Sequence, residues 1–560
     1  MLLTDSVLVR NGSSLTTLLN FNSLIFIKEN GTGMVSSPAF RGTTAQQTAV
    51  VWNGININSR TLGQSDFNTI NPLAYDNLII RSGGGSMAYG SGAIGGSVHL
   101  NNELKFGKGF ENHLFASYGS FDTFASDYKT SWSDDKISLN LNFGRAGSDN
   151  DYKYPGSDQR NLNGKYYNNN LSISAAYRIN PKNEIRFLGN LYDGDRQFSL
   201  ISPNALPGKY HDYNTRNMLE WRSKFNRFSS NLKVVLLEDK YRYYPFIHSD
   251  NYEFGNTESW ISRYNLTYKT GKIHAGLVAD YDYSKLKGSA ISFAERNTAS
   301  AGLYIKHLIS PDLFYEASAR KEFSDVYTAP LLYALGVSYK PANFYKIGLN
   351  SSKNYRMPTF NDLFWPGSGN PDLKAEKSIQ FEIDNEFSFN QLKINVNAYH
   401  NEVTNLIQWI PVGSISVPEN VGKVRISGIE ASANYNLKTG FHHIDFGAAY
   451  AYTQSQNQVL KKQLIYVPFH KFNGSVGYSF KRISAYLQTT YNSKVYTDSK
   501  NTKELSAYWL NNLGAEFGLG PKQSFKLGVQ ARNLGDKAYQ NVMNRWMPGR
   551  NYNLYINFKF

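Results

Sequence analysis

Side chains that could support catalysis are few and scattered in this 560-residue chain. Cysteine is absent, which excludes a thiol nucleophile, a thiolate metal site and a disulfide framework. The ten histidines form no His-Glu-x-x-His motif, and no Gly-x-Ser-x-Gly lies on a strand–turn–helix. His442 and His443 are adjacent, so on a strand they would point to opposite faces and would not share a metal ion. The sequence therefore predicts a protein that is not an enzyme.

Closely spaced acidic residues form two groups that could bind a hard cation. The first group is Asp149, Asp151 and Asp158 in GSDNDYKYPGSDQR, and the second is Asp193 and Asp195 in LYDGDRQF. Carboxylates combined with amide and backbone oxygens are the ligands that calcium prefers. Two interpretations stay open at this point, a calcium site and acidic loops that hold no metal.

A glycine-rich run, SGGGSMAYGSGAIGGSVHL, follows a predicted strand at Asn77–Arg81. Such a run could surround a phosphate, but it contains no Gly-Lys-Ser/Thr and no Gly-x-Gly-x-x-Gly that begins a clear helix. Glycine adopts backbone angles that other residues avoid. Tight turns in a small compact domain are therefore the favoured interpretation.

Most of these residues must be positioned by β-strands. In the last ten residues, one face is apolar and the other is polar, in unbroken alternation; the apolar residues are Tyr552, Leu554, Ile556, Phe558 and Phe560. The pattern returns through most of the chain, in segments such as KISLNLNFG, LSISAAYRI, SIQFEIDNEFSF and FNGSVGYSF. Runs of about 10 alternating residues separated by turns are typical of transmembrane β-barrels.

The composition agrees with a barrel and excludes a helical membrane protein. No run reaches the roughly 18 apolar residues of a membrane helix, and the mean hydropathy is −0.46. Aromatic residues make up 15% of the chain, as expected for aromatic girdles at two membrane interfaces. The net charge of +15 comes from Lys and Arg that are scattered singly, with no basic tract and no recognition helix. Nucleic-acid binding is therefore not predicted.

Three ordered motifs stand in the first part of the chain. They are Phe40-Arg41-Gly42, VVWNGININ around Gly54, and the block from Asn77 to Leu100, in which Ser86, Tyr89, Gly90, Ala93, Gly95 and Gly96 follow a G-x-x-S-x-x-Y-G-x-x-A-x-G-G pattern. Together they closely resemble the plug domain of TonB-dependent outer-membrane receptors. The resemblance implies that the plug's structural residues are Arg41, Gly42, Gly54, Tyr89, Gly90, Gly95 and Gly96.

Four later motifs resemble the barrel of the same family. They are the stretch from Asn354 to Ile383, NVGKVRISGIEASANY, RNLGDKAYQ and the terminal MPGRNYNLYINFKF. The resemblance implies an all-β membrane protein, a 22-stranded antiparallel transmembrane β-barrel occluded by an N-terminal plug. A lumen that wide would leak without a plug. We predict a plug over residues 1–102 and a barrel over residues 103–560. In the family the terminal Phe, here Phe560, is the signal for the barrel-assembly machinery.

The start of the chain departs from the family pattern. MLLTDSVLVRN is not a recognisable signal peptide, and only about forty residues precede Phe40. We therefore expect the segment that contacts TonB, and the first plug strand, to be missing from the chain as written. A passive porin-like or adhesive barrel stays open as an alternative of another class.

The resemblance implies a receptor in the outer membrane of a Gram-negative bacterium, surrounded by lipid. It would bind a scarce, large ligand and transport it to the periplasm with energy coupled through the TonB complex. The stretch NGININSRTLGQSDFNTIN and the chain length look most like cobalamin receptors, which order their outer loops with calcium. Ferric-siderophore receptors are the alternative, and the positive net charge would suit anionic chelates.

Ligand contact is expected at the plug apex. The candidate residues are Asn58, Ser59, Arg60, Gln64 and Ser65. The same polar side chains could instead bond the plug to the barrel wall, and the sequence does not separate these roles. We expect a monomeric barrel, with or without a lipoprotein on its outer face.

Overall fold

A closed β-barrel surrounds a folded N-terminal segment. The computed structural model describes residues 1–3, 5–201, 205–412 and 415–560. Within these residues, 22 long antiparallel strands form one closed sheet. The last strand, Asn551–Lys559, pairs with the first, Gly109–Gly119, and completes the ring. The predicted fold class is confirmed.

The barrel strands follow one another around the ring in the order of the chain. They are Gly109–Gly119, Thr123–Ser133, Ile137–Ser148, Tyr166–Asn180, Asn183–Gln197, Lys209–Phe225, Phe228–Tyr244, Glu253–Lys269, Ile273–Gly288, Ala294–Ser310, Leu313–Ser324, Leu332–Ala342, Tyr345–Arg356, Glu376–Phe389, Leu392–Thr404, Lys423–Thr439, His442–Asn457, His470–Phe480, Ile483–Asn492, Tyr508–Leu519, Phe525–Arg532 and Asn551–Lys559. A two-residue strand, Lys462–Gln463, pairs with the end of His442–Asn457.

Side chains alternate between the lumen and the outer surface, as the strand Ile137–Ser148 illustrates. Leu139 and Phe143 are 44% and 50% exposed, whereas Ser138 and Asn142 are 1% and 3% exposed. The apolar face therefore meets lipid, and the polar face meets the contents of the lumen. Closure of the sheet pairs the backbone groups of every strand, which the apolar interior of a bilayer requires.

The two ends of the barrel differ in the length of their connections. One end carries tight turns such as 181–182, 226–227 and 440–441, and the other carries the long loops, such as 149–165 and 357–375. In transmembrane barrels short turns face the periplasm and long loops face the outside. We call the loop end the outer rim and the turn end the inner rim.

The N-terminal segment fills the lumen with a five-stranded sheet and short helices. The sheet order is Leu2–Leu3, Asn77–Ser82, Gly96–Asn101, Thr48–Trp52 and Ile55–Asn56. The α-helices of the described residues are Asp5–Asn11, Leu15–Asn22, Ser86–Tyr89 and, in an outer loop, Phe360–Phe364. The short 3-10 helices are Ala45–Gln47, Phe67–Thr69, Pro72–Ala74 and Pro521–Gln523. No helix in the described part of the chain is long and apolar enough to cross a bilayer.

Four two-stranded hairpins complete the described elements. They are Phe26–Glu29 with Ser36–Ala39 in the plug, and Ile407–Val412 with Ile415–Asn420, Val495–Tyr496 with Glu504–Leu505 and Gln540–Val542 with Arg545–Trp546 in the outer loops. The plug sheet ends at Asn101, and the first barrel strand begins at Gly109. The predicted boundary between residues 102 and 103 falls in this connection and remains a prediction.

The second plug helix packs the plug against the wall. Ser14 caps it by accepting a hydrogen bond from the Thr17 backbone N–H at 3.1 Å. Its apolar positions Leu15, Leu18 and Leu19 follow the i, i+3, i+4 spacing of one helix face, and all three are fully buried. They belong to a core cluster that also contains residues of the barrel wall. Plug and barrel therefore share one apolar core.

Candidate ligand-binding site at the plug apex

Two plug segments form the apex, the hairpin tip 30–35 and the excursion 57–66. Asp66 joins them, because its Oδ1 accepts hydrogen bonds from the Ser36 backbone N–H at 3.1 Å and from Ser36 Oγ at 2.8 Å. Its Oδ2 accepts a hydrogen bond from Arg196 Nη1 at 2.5 Å. One carboxylate thus holds both apex segments together and ties them to the barrel wall.

Contacts with the long loops place this apex at the outer rim. Asn150, in the loop 149–165, donates a hydrogen bond to the Thr32 carbonyl at 2.7 Å. The Phe360 backbone N–H, in the loop 357–375, donates to the Arg60 carbonyl at 3.0 Å. The predicted contact residues therefore lie at the end of the plug that faces outside.

Two of the predicted contact residues, Asn58 and Ser65, shape the excursion from within. Both are buried, at 7% and 8% exposure. Asn58 Oδ1 accepts a hydrogen bond from the Val50 N–H at 2.9 Å, and its Nδ2 donates to the carbonyls of Thr48 and Gly63. Ser65 Oγ donates to the Ile57 carbonyl at 3.3 Å. Their hydrogen bonds hold the excursion in shape.

Arg60 bonds the plug to the wall, the alternative role considered from the sequence. Its Nη2 lies 2.7 Å from Asp282 Oδ2 on a barrel strand. Its Nε donates a longer hydrogen bond to Ser284 Oγ, at 3.4 Å. The side chain is 8% exposed. Arg60 therefore anchors the apex in this state.

The accessible part of the excursion is its tip. Ser59 and Gln64 are half-buried, and Gln64 Nε2 donates to Ser37 Oγ at 3.1 Å. Between them lies Leu62, which is 53% exposed. Sequence reasoning missed Leu62 because it considered polar side chains alone. The available signal was a single leucine in an otherwise polar excursion, where no neighbouring apolar residues indicate that its side chain is buried.

The loop 357–375 places aromatic surface at the outer rim. Its helix Phe360–Phe364 is capped by Thr359, whose Oγ1 accepts from the Asp362 N–H at 3.1 Å. Asp362 Oδ1 in turn accepts a hydrogen bond from Trp409 Nε1 at 2.9 Å. Trp365 and Trp409 are 37% and 41% exposed. Partly exposed aromatic rings at the outer rim offer stacking surface for a ligand.

A polar cavity separates the excursion from the wall. Its volume is about 100 Å³, and its lining includes Arg60, Tyr89, Arg296, Arg320 and Glu322. Sites for drug-sized ligands have volumes of about 300–1,000 Å³. This cavity is therefore large enough for a few waters only. A drug-sized or larger ligand does not fit between the excursion and the wall in this position of the plug.

Arg41 docks the other side of the plug. Its guanidinium lies 2.7 Å from Glu430 Oε2 and 3.0 Å from Glu382 Oε1, and it stacks on the Tyr399 ring with a centroid distance of 4.4 Å. Burial alone would lower the pKa of Arg41, but the two carboxylates raise it above its ordinary value. The arginine is therefore a permanent cation between two barrel carboxylates.

The motif glycines allow close approach of backbone segments. A Cβ on Gly95 would lie 2.6 Å from the Phe40 carbonyl oxygen, and one on Gly96 would lie 2.2 Å from the Phe40 ring. Gly42, Gly54 and Gly90 have φ of +70°, +89° and +75°, where side chains are strained. The positive φ angles agree with tight turns, and the short distances at Gly95 and Gly96 agree with close packing in a compact domain.

Tyr89 supports the sheet beneath the apex. Its ring contacts that of His99 edge-on, with centroids 4.8 Å apart, and its hydroxyl oxygen accepts a hydrogen bond from Arg81 Nη1 at 3.1 Å. Burial, together with the nearby Arg81, lowers the pKa of His99 to about 4. The imidazole is therefore neutral at pH 7 and pairs with Ser97 Oγ at 2.9 Å.

Each predicted calcium ligand lies beside a basic side chain. The pairs are Asp149–Lys165 at 2.8 Å, Asp151–Arg160 at 2.7 Å, Asp158–Lys153 at 2.8 Å, Asp193–His211 at 3.3 Å and Asp195–Lys209 at 2.9 Å. Within the described ranges, no group of three or more His, Asp or Glu side chains is arranged to hold a metal. Calcium binding would require these pairs to separate, and it remains a prediction.

Asp193 and Asp195 were expected on a loop but lie on the strand Asn183–Gln197. The alternation that exposes Ile185 and Phe187 to lipid continues to the outer rim, where it turns both carboxylates outward. They are therefore on the membrane-facing surface of the barrel, away from the plug apex.

Phe560 completes the seam of the barrel. Its backbone exchanges hydrogen bonds with Asn112, at 2.8 and 3.0 Å. Its ring stacks on Phe558 with a centroid distance of 4.6 Å and remains 58% exposed. A terminal aromatic residue at the open end of a strand is accessible to other proteins, as an assembly signal would need to be.

This geometry, a 22-stranded barrel closed by a plug with an outward apex, defines a plugged transport receptor of the outer membrane. The family model "TonB dependent receptor-like, beta-barrel" matches residues 107–534, and the model "TonB-dependent Receptor Plug Domain" matches residues 4–97. The chain belongs to the TonB-dependent receptor family. It is thus an outer-membrane protein of a Gram-negative bacterium and not an enzyme.

Two relatives of this chain are vitamin B12 transporters. The vitamin B12 transporter BtuB of Photobacterium profundum is 24% identical over 552 residues, which cover 95% of this chain and 88% of that protein. BtuB of Vibrio vulnificus (strain YJ016) is 23% identical over 564 residues, covering 95% and 87%.

Solved structures share the fold. The copper transporter OprC superposes with a TM-score of 0.83 at 16% identity, covering 97% of this chain and 96% of that one. The ferric enterobactin receptor PfeA of Pseudomonas aeruginosa superposes with a TM-score of 0.83 at 16% identity, covering 100% and 98%. At this level of identity the likeness concerns the fold alone.

Proposed function

We propose that this chain captures cobalamin or a related corrinoid at the plug apex and transports it to the periplasm with energy coupled through TonB. The observation that carries the proposal is the similarity to vitamin B12 transporters, which extends over 95% of the chain and so includes both plug and barrel. The proposal thus rests on whole-chain similarity rather than on one motif.

The chemistry of the apex supports a large amphipathic ligand. Leu62 is exposed beside the hydroxyl of Ser59 and the amide of Gln64. An apolar side chain flanked by an amide and a hydroxyl suits a ligand with an apolar ring face and amide substituents. The exposed rings of Trp365 and Trp409 add stacking surface at the same rim.

Ion pairs between plug and wall support the energy coupling that we propose. The apex is tied to the wall by Arg60–Asp282 and Arg196–Asp66, at 2.7 and 2.5 Å. Arg196 also binds Asp212 of the wall at 2.6 Å. Tight capture of a scarce ligand makes its release slow. An external force on the plug is therefore needed to break these pairs and release the ligand inward.

Ferric siderophores are the second candidate. The net charge of +15 favours anionic chelates over a neutral corrinoid. The basic side chains at the apex, Arg60 and Arg196, are however already neutralised by carboxylates. Charge therefore supports this candidate only through the outer loops.

Equilibrium binding to the detergent-purified protein separates the candidates. We expect saturable, one-to-one binding of cyanocobalamin, stronger with calcium than with a chelator present, and no saturable binding of ferric siderophores. Binding of one siderophore without cyanocobalamin binding would assign the protein to the second candidate. Equal cyanocobalamin affinity with and without calcium would remove the calcium prediction and leave the corrinoid assignment intact.

A further inference from the structure

A second polar cavity lies between the plug helix Leu15–Asn22 and the barrel wall. Its volume is about 110 Å³. Thr17 and Asn20 of the helix line one part of it, and Asn150 and Pro548 of two outer loops line another. The cavity therefore lies just inside the outer rim. It has room for several waters or one small ion, but it is too small for a drug-sized ligand.

The barrel wall contributes an arginine without a counter-charge to this cavity. Arg532, the last residue of the strand Phe525–Arg532, lines the cavity, and its side chain is half-buried. Its Nε donates a hydrogen bond to Gln530 Oε1 at 2.8 Å. Within the described part of the chain, its Nη1 and Nη2 have no hydrogen-bond or ion-pair partner. Two N–H-bearing nitrogens of the guanidinium are therefore left for a partner from outside the chain.

The other arginines between plug and wall that are described above differ from Arg532. Arg41, Arg60 and Arg196 each lie beside a carboxylate, at 2.7, 2.7 and 2.5 Å. Charges removed from bulk water are normally paired, and an unpaired one indicates that a water or an ion completes the site. Among the described lining residues the one carboxylate is that of Glu29, whose Oε1 already accepts two hydrogen bonds within the plug. Arg532 thus lacks an internal counter-ion.

Three neutral donors line the same cavity. Asn512 Oδ1 accepts a hydrogen bond from the Asn533 backbone N–H at 3.0 Å, and Asn541 Oδ1 accepts one from the Tyr508 hydroxyl at 2.7 Å. Because both oxygens are used, the two Nδ2 groups remain as donors, and neither has a partner among the residues that the structure describes. The hydroxyl of Tyr539 also has no hydrogen-bond partner in these ranges. One guanidinium and three neutral donors suit an anion.

The plug helps to orient the arginine. Gln530 Nε2 donates a hydrogen bond to the carbonyl of Arg10 at 3.2 Å, and Arg10 lies on the plug helix Asp5–Asn11. Gln530 therefore contacts the plug with its amide nitrogen and Arg532 with its amide oxygen. Since the Nε of Arg532 is occupied, the edge formed by Nη1 and Nη2 is the one that remains. Such an edge binds two oxygens of one oxyanion with parallel hydrogen bonds.

We propose that this cavity binds one small oxyanion, either a carboxylate or a tetrahedral anion such as sulfate or phosphate. Two of its oxygens accept hydrogen bonds from Nη1 and Nη2 of Arg532, and the rest of the anion faces the donors of Asn512, Asn541 and Tyr539. The plug helix Leu15–Asn22 forms the opposite part of the lining. The bound anion therefore bridges plug and wall, and it stabilises the docked plug.

Anion-dependent stability of the plug tests this proposal. The urea midpoint of plug proteolysis is measured at pH 8 in increasing sodium sulfate, with sodium chloride holding the ionic strength constant. For the wild type we expect the midpoint to follow a binding curve, as for a ligand that binds the folded state alone. R532Q should bind sulfate at least about tenfold more weakly. R227Q, which removes an exposed arginine from an inner-rim turn, should match the wild type.

Two further variants distinguish an anion site from a structural arginine. R532K keeps the charge but loses the two parallel N–H donors, and we expect intermediate affinity for sulfate. E29Q removes a negative charge from the lining, because burial raises the pKa of Glu29 to about 7 and the test is made at pH 8. We expect E29Q to bind sulfate more tightly than the wild type. A structural role alone would not change sulfate affinity in opposite directions in R532Q and E29Q.

Crystals soaked in selenate locate the ion, and competition identifies its class. We expect an anomalous peak beside Arg532 in the wild type and none there in R532Q. Displacement of sulfate by formate at lower concentration than by phosphate would assign the site to carboxylates, and the reverse order would assign it to tetrahedral anions. Sulfate also stabilises proteins through exclusion from their surfaces, which does not follow a binding curve. A sulfate response that is equal in the wild type and R532Q, or a wild-type crystal without the peak, would overturn the proposal.

Discussion

At the scale of single residues, Arg41 shows how a plug is held in a wide lumen. It lies between Glu430 and Glu382, with almost no exposure to solvent. Removing one partner of such a buried pair leaves an uncompensated charge and costs about 3–5 kcal/mol. Arg41 thus stabilises the docked plug, because its removal would leave the carboxylates of Glu382 and Glu430 without a cation.

We therefore predict that Arg41→Gln loosens the plug without opening the barrel. The free energy of plug unfolding should be about 3 kcal/mol lower in this variant than in the wild type, because two barrel carboxylates lose their cation. Limited proteolysis in increasing urea measures this change. Arg482→Gln, on an exposed inner-rim turn, is the control. Equal protease resistance of the two variants would contradict the role given to Arg41.

Glu29 links plug stability to pH. Its carboxylate accepts hydrogen bonds from Asn68 Nδ2 at 2.9 Å and from Thr16 Oγ1 at 3.3 Å. Burial raises the pKa of Glu29 from its ordinary value of 4.5 to about 7, and the hydrogen bonds offset only part of that shift. Because the folded state holds the proton more tightly, the stability from protonation is present below pH 4.5 and is lost as the pH rises through about 7.

Glu29→Gln should remove this dependence. Relative to the wild type, we expect the variant to gain up to about 3 kcal/mol of plug stability at pH 8 and little at pH 4, since the neutral amide carries no desolvated charge. Urea unfolding of the plug at the two pH values measures it. Glu419→Gln, on an exposed hairpin, should leave the difference in plug stability between pH 4 and pH 8 as it is in the wild type. A Glu29→Gln variant with the wild-type pH dependence would disprove the assignment.

At the scale of elements, the packing of the strand Gly96–Asn101 requires a residue without a side chain at position 96. It lies between Thr48–Trp52 and Asn77–Ser82 in the plug sheet. A Cβ at Gly96 would meet the Phe40 ring at 2.2 Å and the Arg81 carbonyl oxygen at 2.7 Å. Since Phe40 is itself buried, neither contact can relax into solvent.

Gly96→Ala should destabilise the plug by about 1–3 kcal/mol through overpacking. Gly535→Ala is the matched control, because a Cβ there would meet nothing within 4 Å. The fraction of protein with a protease-resistant plug measures the effect. If the two alanine variants yield the same fraction, close packing at Gly96 does not limit folding.

Sequence patterning predicted the strands because alternation is a local signal with a period of two. It favoured tight turns in the glycine-rich run, since a turn is set by neighbouring residues, whereas the structural roles of the motif glycines were implied by the family resemblance. It did not predict the partners of Arg60 and Asp66. Asp282 and Arg196 lie 222 and 130 positions further along the chain, and only barrel closure brings them near. The exposure of Leu62 likewise depends on how the loops fold over the plug.

At the scale of the whole molecule, closure depends on the pairing of the two ends of the barrel. We predict that Phe560→Ala lowers the amount of assembled protein in cells several-fold but leaves refolding in detergent unchanged, since the backbone pairing with Asn112 does not need the ring. Leu519→Ala, another partly exposed strand end, is the control. Heat-modifiable mobility in membranes measures assembly. Normal assembly of Phe560→Ala would show that the ring is not the signal.

The central claim, that a corrinoid binds on the plug apex, can be tested at one atom because the chain has no cysteine. Leu62→Cys provides a unique thiol at the exposed tip, and Phe441→Cys provides a control thiol on an inner-rim turn. The rate of labelling by a thiol reagent is the measurement. Our account predicts that saturating cyanocobalamin slows labelling at position 62 and not at position 441. Binding of cyanocobalamin without protection at position 62, or protection by a ferric siderophore in its place, would contradict it.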